Sequence, residues 1–384
     1  MVIQFGGQNN IKKMSSSDLS MSRRIRRTPY TNKVEECGVT GFTVVNHMLL
    51  PKAFKNSVEE DYWHLKSHVQ IWDVSCQRQV QITGPDSEKL VQLMTPRLIK
   101  NMNEGKCLYI PIIDENAGMI NDPVLLKLEN NRFWISIADS DVMLWAKGVA
   151  ISSNLKVKII EPEVYPLAIQ GPKAENLLAS IFGEKIRSIK FFNFDKFDFL
   201  GKKQIIARSG YSREDGFEIY FEGYESGETL WDTIWNAGKE FNISPGCPNL
   251  IDRIEAGLMS YGNDFTRENN PYECNLGGYL KDLSHDFIGK PALEKIIKEE
   301  INQQIRGVIF GENPCPPCSE PFPVLSANGE KIGQITSAIY SPRIKKNIGL
   351  SMIAKDYWNK GQELLIETPD GKKRKGIITS LPFP

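Results

Sequence analysis

Arg208-Ser-Gly-Tyr-Ser-Arg-Glu-Asp-Gly-Phe-Glu-Ile-Tyr220 is the stretch on which the reading of this chain turns. It is polar and punctuated by glycine, and it lies between two apolar runs, Ile205 to Arg208 and Phe217 to Phe221. That pattern predicts two strands joined by a turn, with Tyr211 exposed at the turn. Glu218 and Tyr220 have the same parity, so on a strand they project to one face. A carboxylate beside an aromatic suits a planar, N–H-rich ring such as a pterin. The amidine-like edge of that ring offers two donors to one carboxylate, the fork geometry that arginine presents. A hairpin whose Glu and Tyr merely face water reads from the same residues.

Outward from this stretch, the periodicity of apolar residues predicts a mixture of helices and strands. On the N-terminal side, Val58, Tyr62, Leu65 and Val69 share one face of a helix over 57–69. Gln79 to Thr83 alternates as a half-buried strand, and Pro85-Asp86 opens a short helix through Leu90, Val91 and Met94. Val124 to Leu128 and Phe133 to Ala138 read as strands, and Ser140 is placed to cap a helix carrying Val142, Leu144, Trp145 and Val149. A strand at Leu167 to Gln170 runs through Gly171-Pro172 into a helix that Gly183 stops. Two helices follow, near Gly227 to Phe241 and from Leu250 to Tyr261, and Ala292 to Ile301 is a third.

From Arg306 onward only strands and turns are predicted. Val308 to Phe310, Ile332 to Thr336, Ile348 to Met352 and Leu364 to Glu367 are the strands, with hairpin signals at Asn328-Gly329 and Asp370-Gly371. The expected organisation is a polar, disordered leader over 1–20, two interleaved α+β domains over 21–302, and a small β domain over 303–384.

The 384 residues include 47 Lys+Arg and 47 Asp+Glu, so nothing global favours nucleic acid or an anionic membrane. No apolar run approaches a membrane span, and the first residues lack a signal core. Seven scattered cysteines suit reduced thiols, hence a cytoplasmic setting. Cys315-Pro-Pro-Cys318 has no second pair, and His64 with His68 has no third ligand, so no metal is expected. The partners expected are small molecules; a homodimer is admitted by the composition.

Further segments carry a resemblance. They are Gly84-Pro85-Asp86, Ile120-Asn121-Asp122, Gln170-Gly171-Pro172, Asp215-Gly-Phe-Glu218, Asp252-Arg253-Ile-Glu255, Tyr261-Gly-Asn-Asp264, Asn270-Pro271-Tyr-Glu273, Phe287-Ile-Gly-Lys290 and Tyr340-Ser341-Pro342. In order and spacing, from about residue 27 to 380, they resemble the glycine-cleavage T-protein (aminomethyltransferase) family. The resemblance implies an α+β fold: a three-domain cloverleaf ring of two α+β domains with antiparallel sheets and a C-terminal barrel or jelly-roll-like β domain. It implies tetrahydrofolate in the central hole, gripped by Glu218, with Tyr109, Tyr211 and Ser136 lining it and Asp122 near the reactive nitrogens.

Departures from that family pattern narrow the expected activity. Asn249 stands where the family usually has the Arg of Ala-Arg-Asp. Ile135 to Ser140 replaces its Val-Asn-Ala-x-Asn strand, and Asn46 to Pro51 replaces Gly-Trp-x-Met-Pro. These changes disfavour glycine cleavage. Ser22 to Pro29, Tyr109 to Asp114, Met119 to Lys127 and Trp134 to Ser140 resemble instead a branch that moves a methyl group from the sulfonium compound dimethylsulfoniopropionate to tetrahydrofolate. Asp122 is then the expected electrostatic or proton-accepting group. Tyr220 is the first choice for a wall against the sulfonium, with Trp134, Tyr30 and Phe42 as further aromatics. His47, Lys33 or an arginine of 23–27 is expected to hold the substrate carboxylate. Aminomethyl transfer, another methylated donor and non-catalytic folate binding are the alternatives.

Overall fold

The computed structural model describes residues 22–384, so the leader expected over 1–20 lies outside the described residues. The centre is a six-stranded sheet in the order Phe194–Phe199, Lys202–Ala207, Gly216–Glu222, Val164–Gln170, Val69–Asp73, Ile243–Gly246. Its pairs are antiparallel except the last, Ile243–Gly246 with Val69–Asp73. A five-stranded antiparallel sheet is built from Lys158–Ile160, Gln79–Thr83, Arg132–Ser136, Val124–Glu129 and Cys107–Tyr109. Every strand of the second sheet lies, in sequence, between Val69–Asp73 and Val164–Gln170 of the first, so the two units interleave.

Alternation along each strand decides what faces what. Phe217, Ile219 and Phe221 pack with the helices Ala174–Phe182 and Gly227–Gly238. Val80, Ile82, Phe133 and Ile135 pack with Ser87–Met94 and Val142–Ser152. The opposite faces of the sheets meet: Tyr220 and Ile205 of one join Leu126 and Trp134 of the other in a shared cluster. Burying these rings removes apolar surface from water at roughly 25 cal/mol per Å².

The C-terminal part is a closed six-stranded barrel. Its first strand is Gln303–Phe310. Strands Phe322–Leu325 and Lys373–Thr379 complete it; neither was predicted, because Pro323 and the lysines of 372–375 mask them.

Three local readings are corrected. The helix predicted over 57–69 is Val58–Ser67, opened by a Ser57–Glu60 capping box. Val69 belongs to the wholly buried strand Val69–Asp73, whose pairing on both sides outweighs helical spacing. The helix predicted to Tyr261 is only Leu250–Glu255, because Gly257 adopts φ +70° and its amide bonds back to the Ile254 carbonyl. Ser140 caps nothing; its hydroxyl donates to the Ile120 carbonyl at 2.7 Å. No helix among the described residues is long and apolar enough to cross a membrane.

Candidate active site

The turn after Lys202–Ala207 is tight because Gly210 leaves room for Gln170; a Cβ there would meet the Gln170 amide oxygen at 2.0 Å. That turn places Ser209 against Glu218 and Tyr211 against Met259. Glu218 lies on Gly216–Glu222, between Ala168 and Ala207 of its neighbour strands. It is 5% exposed, has no cation partner among the described residues, and accepts a hydrogen bond from Ser209 Oγ at 2.5 Å. Burial pushes its carboxyl up, opposed by the hydroxyls of Ser209 and Tyr220.

Tyr220 is 1% exposed and packs on Trp134 with ring centroids 6.3 Å apart. Trp134 is fully buried, and its indole N–H donates to Gln81 at 2.9 Å. Both rings lie in the cluster between the two sheets, turned away from solvent. Burial and the nearby Glu218 charge push the Tyr220 hydroxyl well up. Ser136, also buried, accepts from Gln79 Nε2 at 3.0 Å. Tyr30 is fully buried beside Trp231, and Phe42 is half-buried.

Asp122 follows the short strand Met119–Asn121. Its neighbour Asn121 is fully buried; Nδ2 donates to the Ala138 carbonyl and to Ser140 Oγ, and Oδ1 accepts from the Ala138 amide. This anchors the turn that presents Asp122. Tyr109 donates to Asp122 Oδ2 at 2.6 Å, whereas Oδ1 is shielded from water and has no partner among the described residues. Burial pushes Asp122 up to about 7, against the lowering effect of the Tyr109 hydroxyl, with the nearby Asp264 charge adding to the rise. Cys107 and Tyr109 share a face of one strand. With burial, the Glu218 charge helps push the Cys107 thiol up, and the Asp122 charge the Tyr109 phenol.

Tyr211 donates to the Met259 carbonyl at 2.5 Å and feels Arg253, Asp122 and Asp264. It is half-buried at the junction, not exposed as the turn pattern suggested. Arg253 is 7% exposed and donates to Asp264 at 2.6 Å, to Ser337 at 2.7 Å and to the Leu258 carbonyl. Thr336 and Ser337, from the barrel, both donate to Asp264 Oδ1. All three parts of the molecule therefore meet beside Tyr211. Arg253 and Asp264 stand in segments that carry the family resemblance, which gives them no role. The available signal was an arginine set among Ile251, Ile254 and other apolar neighbours.

Asn46 donates to the Ala138 carbonyl and to Asp139, the segment that Asn121 also holds. His47 is exposed at the tip of the hairpin Gly41–Val45/Met48–Ala53, at φ +61°. Lys33 pairs with Asp232, and Arg26 and Arg27 pair with Glu161 and Glu35. Asn249 caps the helix Leu250–Glu255 through Ile251 N at 2.8 Å. All seven cysteines are free, and among the described residues no group of three or more His, Cys, Asp or Glu is placed to hold a metal.

Two family models cover this architecture: "GCVT N-terminal domain" matches residues 31–282, and "Glycine cleavage T-protein C-terminal barrel domain" matches 304–383. The chain is 47% identical to "Dimethylsulfoniopropionate demethylase DmdA" of Ruegeria pomeroyi, over 92% of this chain and 96% of that protein. It is 31% identical to an aminomethyltransferase of Caldanaerobacter subterraneus subsp. tengcongensis, over 87% and 89%. Among solved structures, glycine cleavage system aminomethyltransferase T from Bartonella henselae superposes with a TM-score of 0.85 at 22% identity, covering 94% of this chain and 98% of that one. With residues 31–282 and 304–383 matched by one family's models and the sheets and barrel in its fold, this chain belongs to the glycine-cleavage T-protein family.

Proposed function

We propose that this protein moves a methyl group from dimethylsulfoniopropionate to tetrahydrofolate, giving methylmercaptopropionate and 5-methyltetrahydrofolate. The observation that carries the reading is the 47% identity, along 92% of the chain, to the demethylase of Ruegeria pomeroyi, against 31% to the aminomethyltransferase. The replacement of the family's arginine by Asn249, engaged here as a helix cap, also weighs against aminomethyl transfer.

The residues present fit a reduced folate. Glu218 is a buried carboxylate with hydroxyl donors and no cation, an acceptor for the N–H edge of the pterin. Asp122 offers a shielded oxygen without a partner. Tyr109, Tyr211 and Ser136 frame the ring, and Tyr220 acts through its hydroxyl on Glu218. His47 and Trp134 stand with Tyr220 as the residues proposed for the sulfonium donor.

The reaction is a displacement. A bond forms between the ring nitrogen and the methyl carbon while the carbon–sulfur bond breaks, and its electron pair leaves on a neutral thioether. The sulfonium is already a good leaving group, so the protein's task is alignment, which supplies up to about 7–11 kcal/mol in favourable systems. The attacking nitrogen becomes cationic and must shed a proton. A carboxyl held near 7 is matched to that task, and Asp122 takes the proton. Before that, its charge stabilises the positive charge passing from sulfur to nitrogen.

The test is incubation of the protein with tetrahydrofolate and dimethylsulfoniopropionate, following 5-methyltetrahydrofolate by mass spectrometry. Product is expected. Methylation from another donor but not this one would overturn the substrate; methylenetetrahydrofolate and ammonia from an aminomethylated lipoyl carrier would overturn the reaction class.

A further inference from the structure

Arg97 is a half-buried arginine whose fork is largely unspent. Its guanidinium lies 4.7 Å over the ring of Tyr279, and Nη1 donates to the backbone carbonyl of Tyr109 at 2.5 Å. Among the described residues no carboxylate completes it. By contrast, Arg27, Arg78, Arg208, Arg253 and Arg343 each end on an acidic side chain. A guanidinium desolvated on an aromatic face, with N–H donors left over, is built for a planar anion.

Its backbone is held from both sides. The Arg97 amide donates to Thr95 Oγ1 at 3.2 Å, and its carbonyl accepts from Gln92 Nε2 at 3.0 Å. The same Gln92 side chain takes the Ile99 amide at 2.9 Å. Tyr279 is 45% exposed, and its ring meets the Tyr109 ring edge-on at 5.7 Å. The shelf is thus preorganised at the rim of the site and open on one side.

Tyr109 sets the scale. Its carbonyl end holds Arg97 and its phenol end holds Asp122. A tyrosine side chain therefore separates the free fork from the carboxyl proposed to serve the reacting nitrogen. In the sulfonium donor, only two methylenes stand between carboxylate and sulfur, too short to bridge from that fork to the reacting methyl. In a folate, a rigid p-aminobenzoyl spacer stands between the reactive nitrogens and the glutamate. From this juxtaposition we infer that Arg97, shelved on Tyr279, grips the glutamate carboxylate of the folate tail and so selects a glutamylated acceptor. The inference rests on the tetrahydrofolate reading above.

Calorimetric titration of the full chain with tetrahydrofolate and with tetrahydropteroate, which lacks the glutamate, tests it without any methyl donor. The wild type is expected to bind tetrahydrofolate about tenfold more tightly, the size of one charge-assisted pair. Arg97→Ala is expected to bring the ratio close to one, and Arg97→Lys to restore part of it; melting temperatures check that both variants fold. A wild-type ratio near one, or a ratio unchanged in Arg97→Ala, overturns the role of Arg97 while leaving folate binding intact. A shift confined to the KM of the sulfonium donor also overturns it. Binding of neither compound by the wild type overturns the folate reading itself, and this inference with it.

Discussion

Tyr109 and Asp122 form a 2.6 Å hydrogen bond in which the phenol serves one carboxylate oxygen and leaves the other unpartnered. The bond joins a strand of the five-stranded sheet to the turn after Met119–Asn121. It gives the site a carboxyl that is both fixed in direction and adjusted in basicity.

A first prediction concerns pH. Asp122 is raised to about 7, so the proton-accepting form is lost as pH falls through that value, and kcat is expected to climb along an acid limb near it. Tyr109→Phe removes an influence that lowers this carboxyl, so the limb should move to higher pH. Asp122→Asn should cost about 100-fold or more in kcat. A Tyr109→Phe profile with its limb unmoved would show that another group titrates.

Glu218 makes a second prediction, with opposite effects on binding and stability. Burial raises its carboxyl in the folded chain, so ionisation opposes folding as pH rises through the folded value. Glu218→Gln should therefore raise the melting temperature of the ligand-free protein by roughly 1 °C or more at pH 8. That gain should vanish below the ordinary glutamate range, where both side chains are neutral. Tetrahydrofolate affinity should fall about 10- to 100-fold, the worth of a charge-assisted bond. A variant that binds as tightly as the wild type would remove Glu218 from the site.

Arg253 and Asp264 form a buried ion pair completed by Ser337 and Thr336. Asp264→Leu leaves the guanidinium uncompensated, at a cost of about 3–5 kcal/mol in denaturant unfolding. The double variant Arg253→Met/Asp264→Leu should recover much of that loss. Additive losses in the double variant would refute the coupling.

Asn121 is proposed as a positioning residue, since it bonds the 138–140 segment and carries Asp122 on the next peptide. Asn121→Ala should lower kcat about 10- to 100-fold through misplacement of the carboxyl. Calorimetric affinity for tetrahydrofolate should change less than threefold. A loss in affinity equal to the loss in turnover would point to general disruption instead.

The sequence was most legible where side-chain parity or turn chemistry acts locally. Glu218 and Tyr220 do share a strand face, and Gly183 does stop its helix. It was least legible where distant segments decide. Val69 fitted a helical stripe until pairing with Val164–Gln170 claimed it for a strand. The packing of Tyr220 on Trp134 comes from two sheets closing on each other, which nothing local shows. The tie from Arg253 to Ser337 spans 84 residues and two units of the fold, beyond the reach of any periodicity.

Thr336 and Ser337 reach the junction from strand Lys331–Ser341, which is synthesised after every other named part of the site. On the ribosome, Arg253 and Asp264 emerge long before the hydroxyls that tie them down. A chain stalled before residue 336 carries Glu218, Tyr109 and Asp122 but lacks that clasp on the hub around Tyr211. The clasp at the junction is thus the last piece of the site to be made.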